Sequence, residues 1–337
     1  MAVRTGKYTV TLPSMPGIIG HAAVAGKKEG EGPLGREYDR IIENADAGES
    51  SWEKAESLMH GEAVKRAIDK SGLAVSDIDI IFAGDLLPQC MAATFGIREL
   101  GIPFMGIYGA CSTMALSLAG AALAVDSGAV TNAAASTSSH FCSAEKQFRM
   151  PMEYGGQRPP TAQWTATAAG AAVVSRKLSS VCIEKIIIGR MQDYGIKDAN
   201  NMGAAMAPAA CRTIADFLKD TDTVPEEYDM ILTGDLGSIG SELLLELMKR
   251  EEGIDISAVH KDCGMMMFDP SQQDINSGGS GCGCSAAVVC SHILRRMEDG
   301  ELNRVFFAGT GALLSSVSPL QNETVPSIAH GVLLRRM

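Results

Sequence analysis

Residues Ile102 to Val125 carry no formally charged side chain, and in their midst stands Gly109-Ala110-Cys111-Ser112-Thr113-Met114-Ala115-Leu116-Ser117-Leu118-Ala119. A hydrophobic run, Ile102 to Tyr108, ends in Gly-Ala, and a cysteine then opens a helix of small and apolar residues. A helix without a polar face has to be buried on every side, so the rest of the chain must supply layers around it. Cys111 falls in its first turn, where unpaired N–H groups and the positive end of the helix dipole favour an anion. Such a place lowers a thiol pKa, and it equally binds a carboxylate or phosphate without chemistry. Pro103, the Gly109 turn and the polar Tyr108, Ser112, Thr113 and Ser117 fit a strand and a buried helix better than a membrane span.

At 337 residues the chain has room for one large α/β domain or two ordinary ones. A net charge of −11 argues against nucleic acid as the main partner, because phosphate binding is supplied by Lys and Arg. It leaves room for a small anion in an interior pocket. The nine cysteines are odd in number and several lie inside apolar runs, which reads as thiol usage in a reducing compartment. Cys282-Gly283-Cys284 lacks the CxxC spacing of a zinc site, and no metal is expected there. Met1 to Leu12 has no apolar core of signal-peptide length.

Along the chain, Tyr8–Leu12 and Gly17–Ala25 read as strands and Gly26–Ser51 as a long charged surface loop. Ser50-Ser51-Trp52-Glu53 is a capping box that opens a helix to about Lys70, with Trp52, Ala55, Leu58, Met59, Val64, Ala67 and Ile68 on its apolar side. A buried strand (78–84) ends at Asp85, Pro88 begins a helix, a strand covers 103–108, and the Cys111 helix stops at Gly128 before a strand through Ala135. This β-α-β-α-β order predicts a parallel sheet with helices on its faces. The segment 136–163 breaks the pattern and reads as a functional loop. Strands at Thr165–Val174 and Val181–Ile188 follow, then a helix from Met202 to Lys219 interrupted at Pro208.

A second half repeats the first. Tyr228-Asp229-Met230-Ile231-Leu232-Thr233-Gly234-Asp235-Leu236 echoes Ile78-Asp79-Ile80-Ile81-Phe82-Ala83-Gly84-Asp85-Leu86. Gly281-Cys282-Gly283-Cys284-Ser285-Ala286 echoes the Cys111 helix start. The duplication predicts halves at 1–178, including the 136–163 loop, and 179–337, related by a pseudo-twofold axis. Two helix N-termini would then face one cavity.

Two such halves, with a cysteine opening the buried helix of the first, resemble the thiolase superfamily and most of all its ketosynthase III branch. The resemblance implies an α/β, thiolase-like fold with an α-β-α-β-α layered core. In those enzymes the cysteine accepts the acyl group, and a histidine and an asparagine of the second half assist. Here Thr233-Gly234-Asp235 stands at the histidine's place and Cys282-Gly283-Cys284-Ser285 at the asparagine's, so neither partner is present.

A narrower resemblance covers nearly the whole chain. Gly109-Ala110-Cys111-Ser112-Thr113, Thr137-Ser138-Ser139-His140, Met206-Ala207-Pro208-Ala209-Ala210, Leu232-Thr233-Gly234-Asp235-Leu236, Arg149-Met150-Pro151-Met152-Glu153-Tyr154-Gly155-Gly156-Gln157 and Ile328-Ala329-His330-Gly331 resemble the stage V sporulation protein AD family. That resemblance implies a non-enzymatic protein of the SpoVA group that binds dipicolinic acid (pyridine-2,6-dicarboxylate) for its uptake into the spore and release at germination. It also implies other SpoVA membrane proteins as partners, a homodimer, and a peripheral place at the spore inner membrane after synthesis in the forespore cytoplasm. No resident cofactor or metal is expected, the ligand being dipicolinate or its calcium chelate.

For this flat dianion, backbone N–H groups at Cys111-Ser112-Thr113 and Cys284-Ser285-Ala286 are expected to take one carboxylate each. Ser138, Ser139 and His140 are expected to border the cavity, with His330 passing it on the last strand; either histidine, if protonated, adds a cation. Tyr154 and Gln157 are candidate lid residues, for ring stacking and hydrogen bonding. Asp85 and Asp235 either bond backbone N–H groups and hold the Gly turns, or contact calcium through their oxygens. The competing readings are an acyl-transfer enzyme that pairs Cys111 with His140 or His330, and a structural subunit with a vestigial cavity.

Overall fold

The computed structural model describes residues 1–148 and 158–337. In the first half the main elements are β1 (Gly17–Gly26), α1 (Trp52–Ser71), β2 (Ile80–Asp85), α2 (Met91–Ile97), β3 (Phe104–Gly106), α3 (Thr113–Ser127), β4 (Asn132–Ser139), α4 (Phe141–Phe148) and β5 (Ala168–Ser175). In the second they are β6 (Val181–Ile187), α5 (Met202–Thr221), β7 (Met230–Thr233), α6 (Gly237–Leu247), β8 (His260–Asp262), α7 (Cys263–Met267), α8 (Cys282–Val288, prolonged helically to Glu298), β9 (Arg304–Ala312) and β10 (Ser327–Arg336).

The strands lie in the order β8-β7-β9-β10-β6-β1-β5-β4-β2-β3. Read outward from the centre, the two halves match strand for strand. In each, the second strand pairs parallel with the third and fourth, the fourth antiparallel with the fifth, and the fifth antiparallel with the first. The halves join where Cys182 of β6 pairs with Gly17 of β1. This is the twofold duplication that the repeated Asp-Leu and Gly-Cys stretches anticipated.

Layering follows from the composition of α3. It packs on β2, β4 and β5 of one half and on β9, β10 and β6 of the other. Met114, Ala115, Leu118, Ala119, Ala121 and Ala122 have no exposed surface. The helix is long and apolar enough to cross a membrane, yet most of it lies inside the fold. Close packing of this kind needs small side chains. α8 lies beside α3 against β4 and β5, while α1 covers the outer face of β1 and β5 and α5 covers that of β9 and β10. The result is the expected α-β-α-β-α stack.

Local chemistry sets most ends. Ser51, one residue beyond the expected cap, accepts from Lys54 N at 3.3 Å, and Gly72 closes α1 in the left-handed region at φ 70. Four expectations change. The described part of 136–163 is not a plain loop, since β4 runs on to Ser139 and α4 spans Phe141–Phe148. The 26–51 stretch is not a plain surface loop: a short strand, Arg40–Ile42, pairs parallel with β1, and Leu34, Tyr38 and Ile42 are buried. Helix α5 runs through Pro208 without interruption, because Met206, Ala207, Ala209 and Ala210 around it are wholly buried against the sheet and that packing outweighs one lost backbone bond. On α1 the buried face includes Glu56 and His60, whereas Trp52 and Leu58 are only half-buried.

Candidate functional site

Cys111 lies in a 3-10 turn (Ala110–Ser112) that leads into α3. Ala110 holds a left-handed φ of 49, which an L side chain rarely adopts and which swings the chain into the helix. The turn is clamped from the second half by β9. A Cβ on Gly311 would lie 2.4 Å from Gly109 O and 3.1 Å from Ser112 N, so only glycine fits that approach.

The start of α8 is tied to the first half. Gly279–Ser280 pairs with Trp164–Thr165, Gly283 N donates to Ser139 Oγ at 3.2 Å, and the Cys282 thiol donates to Ser138 O at 2.9 Å. Cys111, Cys282, Leu86 and Ala144 form one small buried cluster, with Phe148 packed against it. Both buried helices therefore begin at one place, as the duplication implied.

What sits there differs from the expected cradle. Ser112 N donates to Gly109 O, Thr113 N to Ala110 O, and Cys284 N to Gly281 O. Ser112 Oγ, Thr113 Oγ1 and Ser285 Oγ likewise turn back on Gly109 O, Ala110 O and Cys282 O. These N–H and O–H groups are spent inside the chain, so two open N–H tips do not face a shared guest. The Cys284 side chain packs into the core near Phe268 and Cys263.

The tip of α8 already holds an anion of its own. Asp235, just beyond β7, has no exposed surface. Its Oδ2 accepts from Gly281 N at 2.8 Å and Ser280 Oγ at 3.1 Å, and its Oδ1 from Thr310 Oγ1 at 2.8 Å. The same carboxylate lies close enough to the Cys111 thiol for its charge to act on it. Burial pushes the Asp235 pKa up, with these donors pulling it back. The Cys111 thiol is pushed well above its ordinary value by burial first and by the Asp235 charge second. The helix-start effect expected to activate the thiol is thus overridden by burial, with the nearby anion adding to it.

Asp85, at the end of β2, accepts from Leu87 N at 3.1 Å and Ala93 N at 2.9 Å. It holds the turn into α2. Behind it lies a polar network that the sequence reading missed. Glu56 and His60 stand one turn apart on α1. Ser138 Oγ donates to Glu56 Oε1 at 2.9 Å, and the His60 ring bonds Ser138 Oγ at 3.0 Å and Ser136 Oγ at 2.8 Å. The strand's twofold alternation explains the split: Ser136 and Ser138 face α1, whereas Ser139 faces α8. Burial raises Glu56 to about 8, with Asp85 adding to the shift, raises Asp85 to about 6, and lowers His60 to about 4. Two polar residues four apart inside an apolar helical stripe were the signal available.

The two expected histidines lie apart and uncharged. His140 Nε2 bonds Ala45 O at 2.7 Å, and Cys142 N donates to its Nδ1 at 3.1 Å, so its ring serves the 40s segment. His330 sits opposite Gly309 in the β9–β10 pairing, beside the Gly109 turn, and accepts from Gly189 N at 3.2 Å. Burial lowers both, His330 to about 4. The expected cation beside the ligand is therefore not supplied by either ring near neutral pH. Tyr154 and Gln157 lie outside the described residues. Among the described residues no group of three or more His, Cys, Asp or Glu side chains is arranged to hold a metal ion.

A duplicated five-layer α/β fold with a cysteine at the head of its first central helix is a thiolase-like fold. Solved structures agree on the fold: 3-oxoacyl-[acyl-carrier-protein] synthase III from Aquifex aeolicus VF5 shares 16% identity, covers 95% of this chain and 99% of its own, and superposes with a TM-score of 0.57. An OleA variant from Xanthomonas campestris shares 14% identity over 99% of this chain and 100% of its own, with a TM-score of 0.61. More particularly, the sequence signature of stage V sporulation protein AD (SpoVAD) matches residues 6–335. The stage V sporulation protein AD of Bacillus subtilis (strain 168) is 44% identical over 332 residues, 98% of each chain. The chain belongs to the stage V sporulation protein AD family.

Proposed function

We propose that this sporulation protein binds dipicolinate at the Cys111 end of its two central helices and makes or breaks no bond in it. The observation that carries the reading is the surroundings of Cys111. Burial, with the charge of nearby Asp235 adding to it, keeps the thiol protonated, and an acyl-accepting cysteine needs the thiolate. Tyr108, half-buried beside Cys111 and Cys282, is also held protonated by burial. A thiol and a phenol that keep their protons are neutral hydrogen-bond donors for a ligand carboxylate, and the Leu86–Ala144 cluster offers an apolar wall for a ring.

Calorimetric titration with dipicolinate tests this, with isophthalate, which lacks the ring nitrogen, as control. Binding by the wild type, weakened at least tenfold in Cys111→Ala, is the expected result; equal affinity for both acids would overturn it. Calcium dependence that disappears in Asp85→Asn would assign the chelate as ligand.

One fold neighbour is a 3-oxoacyl-[acyl-carrier-protein] synthase, which favours one second reading, a Cys-dependent acyl transfer. A stable acyl adduct on Cys111 after incubation with acyl-CoA, found by mass spectrometry, would establish it. In our reading the protein serves other SpoVA proteins at the spore inner membrane and attaches to them peripherally. A homodimer is supported by the outer edge of β3, where Phe104 and Met105 are 42% and 47% exposed. An open apolar strand edge invites pairing with a second copy, and sedimentation would give the mass.

A further inference from the structure

Three carboxyl groups from three elements converge on Cys282. Asp235 holds Gly281 N, the peptide just before it. Ser138, whose carbonyl accepts from the Cys282 thiol, donates a hydrogen bond from its hydroxyl to Glu56 of α1. Asp85 lies in register with that same Ser138 across the β2–β4 pairing.

The groups facing these carboxyls bring no positive charge from the described residues. Glu56 meets Asp85, Glu53 of its own helix, and the hydroxyls of Ser138 and Ser143, with neutral His60 on the far side of Ser138. Asp85 meets backbone N–H groups of α2 and lies near Cys90, Tyr108 and Cys282. Asp235 lies near Cys111, Asp262, Cys263, Cys282 and Cys284. Lys146 pairs with Glu53 at 2.7 Å on the surface.

Resting on the reading that a small dicarboxylate binds at Cys111, we propose that its binding is coupled to proton uptake by the Glu56–Asp85–Asp235 cluster. A dianion entering a poorly solvated site beside carboxylates raises their proton affinity by direct repulsion. Glu56, near 8, already holds its proton at neutral pH, so Asp85, near 6, and buried Asp235 are the groups that gain one. Linkage then fixes the sign. The bound state holds more protons, so affinity falls as pH rises, by up to about tenfold per pH unit for each proton taken up.

The test is titration calorimetry of the full chain with dipicolinate at pH 7 in two buffers of different ionisation enthalpy, and again at pH 6 and pH 8. Expected are buffer-dependent heats in the sense of proton uptake, roughly half to one proton per ligand, and an affinity at least about tenfold weaker at pH 8 than at pH 6. Asp85→Asn should remove most of the uptake. The wild-type buffer comparison stands by itself if that variant folds poorly. Supplying the ligand as its calcium complex, which carries less negative charge, should also reduce the uptake. Measurable binding with identical heats in both buffers and equal affinity at pH 6 and 8 would overturn the coupling alone. No binding in any buffer would overturn the underlying ligand assignment, and the coupling with it.

Discussion

Asp235 carries more of the site's character than the cysteine near it. Two catalytic routes would be open to a thiol at a buried helix start: ionisation, favoured by the helix dipole, and proton transfer to a neighbouring base. Burial and the carboxylate's charge close the first, and the carboxylate already accepts from Gly281 N, Ser280 and Thr310. Replacing it by the neutral isostere should therefore unmask the thiol. Asp235→Asn is expected to raise the rate of Cys111 alkylation by iodoacetamide at pH 8 by roughly tenfold, since removing one adjacent charge lowers a pKa by about one unit. The kinetics, followed by mass spectrometry with Cys111→Ser as blank, check this; an unchanged rate would assign the thiol's inertness to burial alone. At Gly311, alanine would press on Gly109 O. Gly311→Ala is expected to lower stability by about 1–3 kcal/mol, measured by urea denaturation.

Among the elements, α3 is the one whose sequence and surroundings leave no slack. Its face toward one half-sheet and its face toward the other are both closed, and only a narrow stripe, Leu116, Gly120, Leu123 and Ala124, is partly open, so a residue on either closed face has nowhere to turn. Ala119, with no exposed surface, illustrates the point: Ala119→Leu should cost about 1–3 kcal/mol through overpacking, seen as a lower thermal midpoint, whereas a surface helix would accept leucine readily. The neighbouring element α8 was legible only in part. Its glycine-led start and small residues predict burial, but the sequence does not tell that Cys284 turns to the core while Cys282 turns to Ser138. Successive helical side chains diverge by about 100°, so which one meets the site depends on how the helix is seated.

For the molecule as a whole, buried carboxyls make stability depend on pH in a definite direction. Burial raises Glu29 and Asp262 to about 7, Glu56 to about 8 and Asp85 to about 6. A carboxyl with a raised folded pKa contributes stability that is full below its unfolded value and is lost as pH rises through the folded one. His60, His260 and His330, lowered to about 4, act oppositely, adding stability between pH 4 and 6.5, and no longer titrate above that. Between pH 6.5 and 7.5, below the range in which the cysteines of the unfolded chain ionise, the carboxyls dominate. Stability should fall there by on the order of 2 kcal/mol, and Glu56→Gln should remove much of the fall, as denaturant midpoints at the two pH values would reveal. A flat profile would mean that these carboxyls are better solvated than their burial implies.

By itself the sequence determined the buried Cys111 helix, the duplication and the family, because each is written in local terms: an uncharged run, a period, a turn residue, a repeated motif. It could offer Asp235 and Asp85 only as alternatives, place His140 and His330 near a cavity, and pass over Glu56 and His60 altogether. Those matters were decided by tertiary structure alone. Asp235 finds Gly281 across 46 residues, Glu56 finds Ser138 across 82, and His140 is drawn to Ala45 across 95. Partners at such separations are chosen by how sheets and helices pack, and the same packing that brings them together strips away the water that would otherwise keep their charges in the ordinary range.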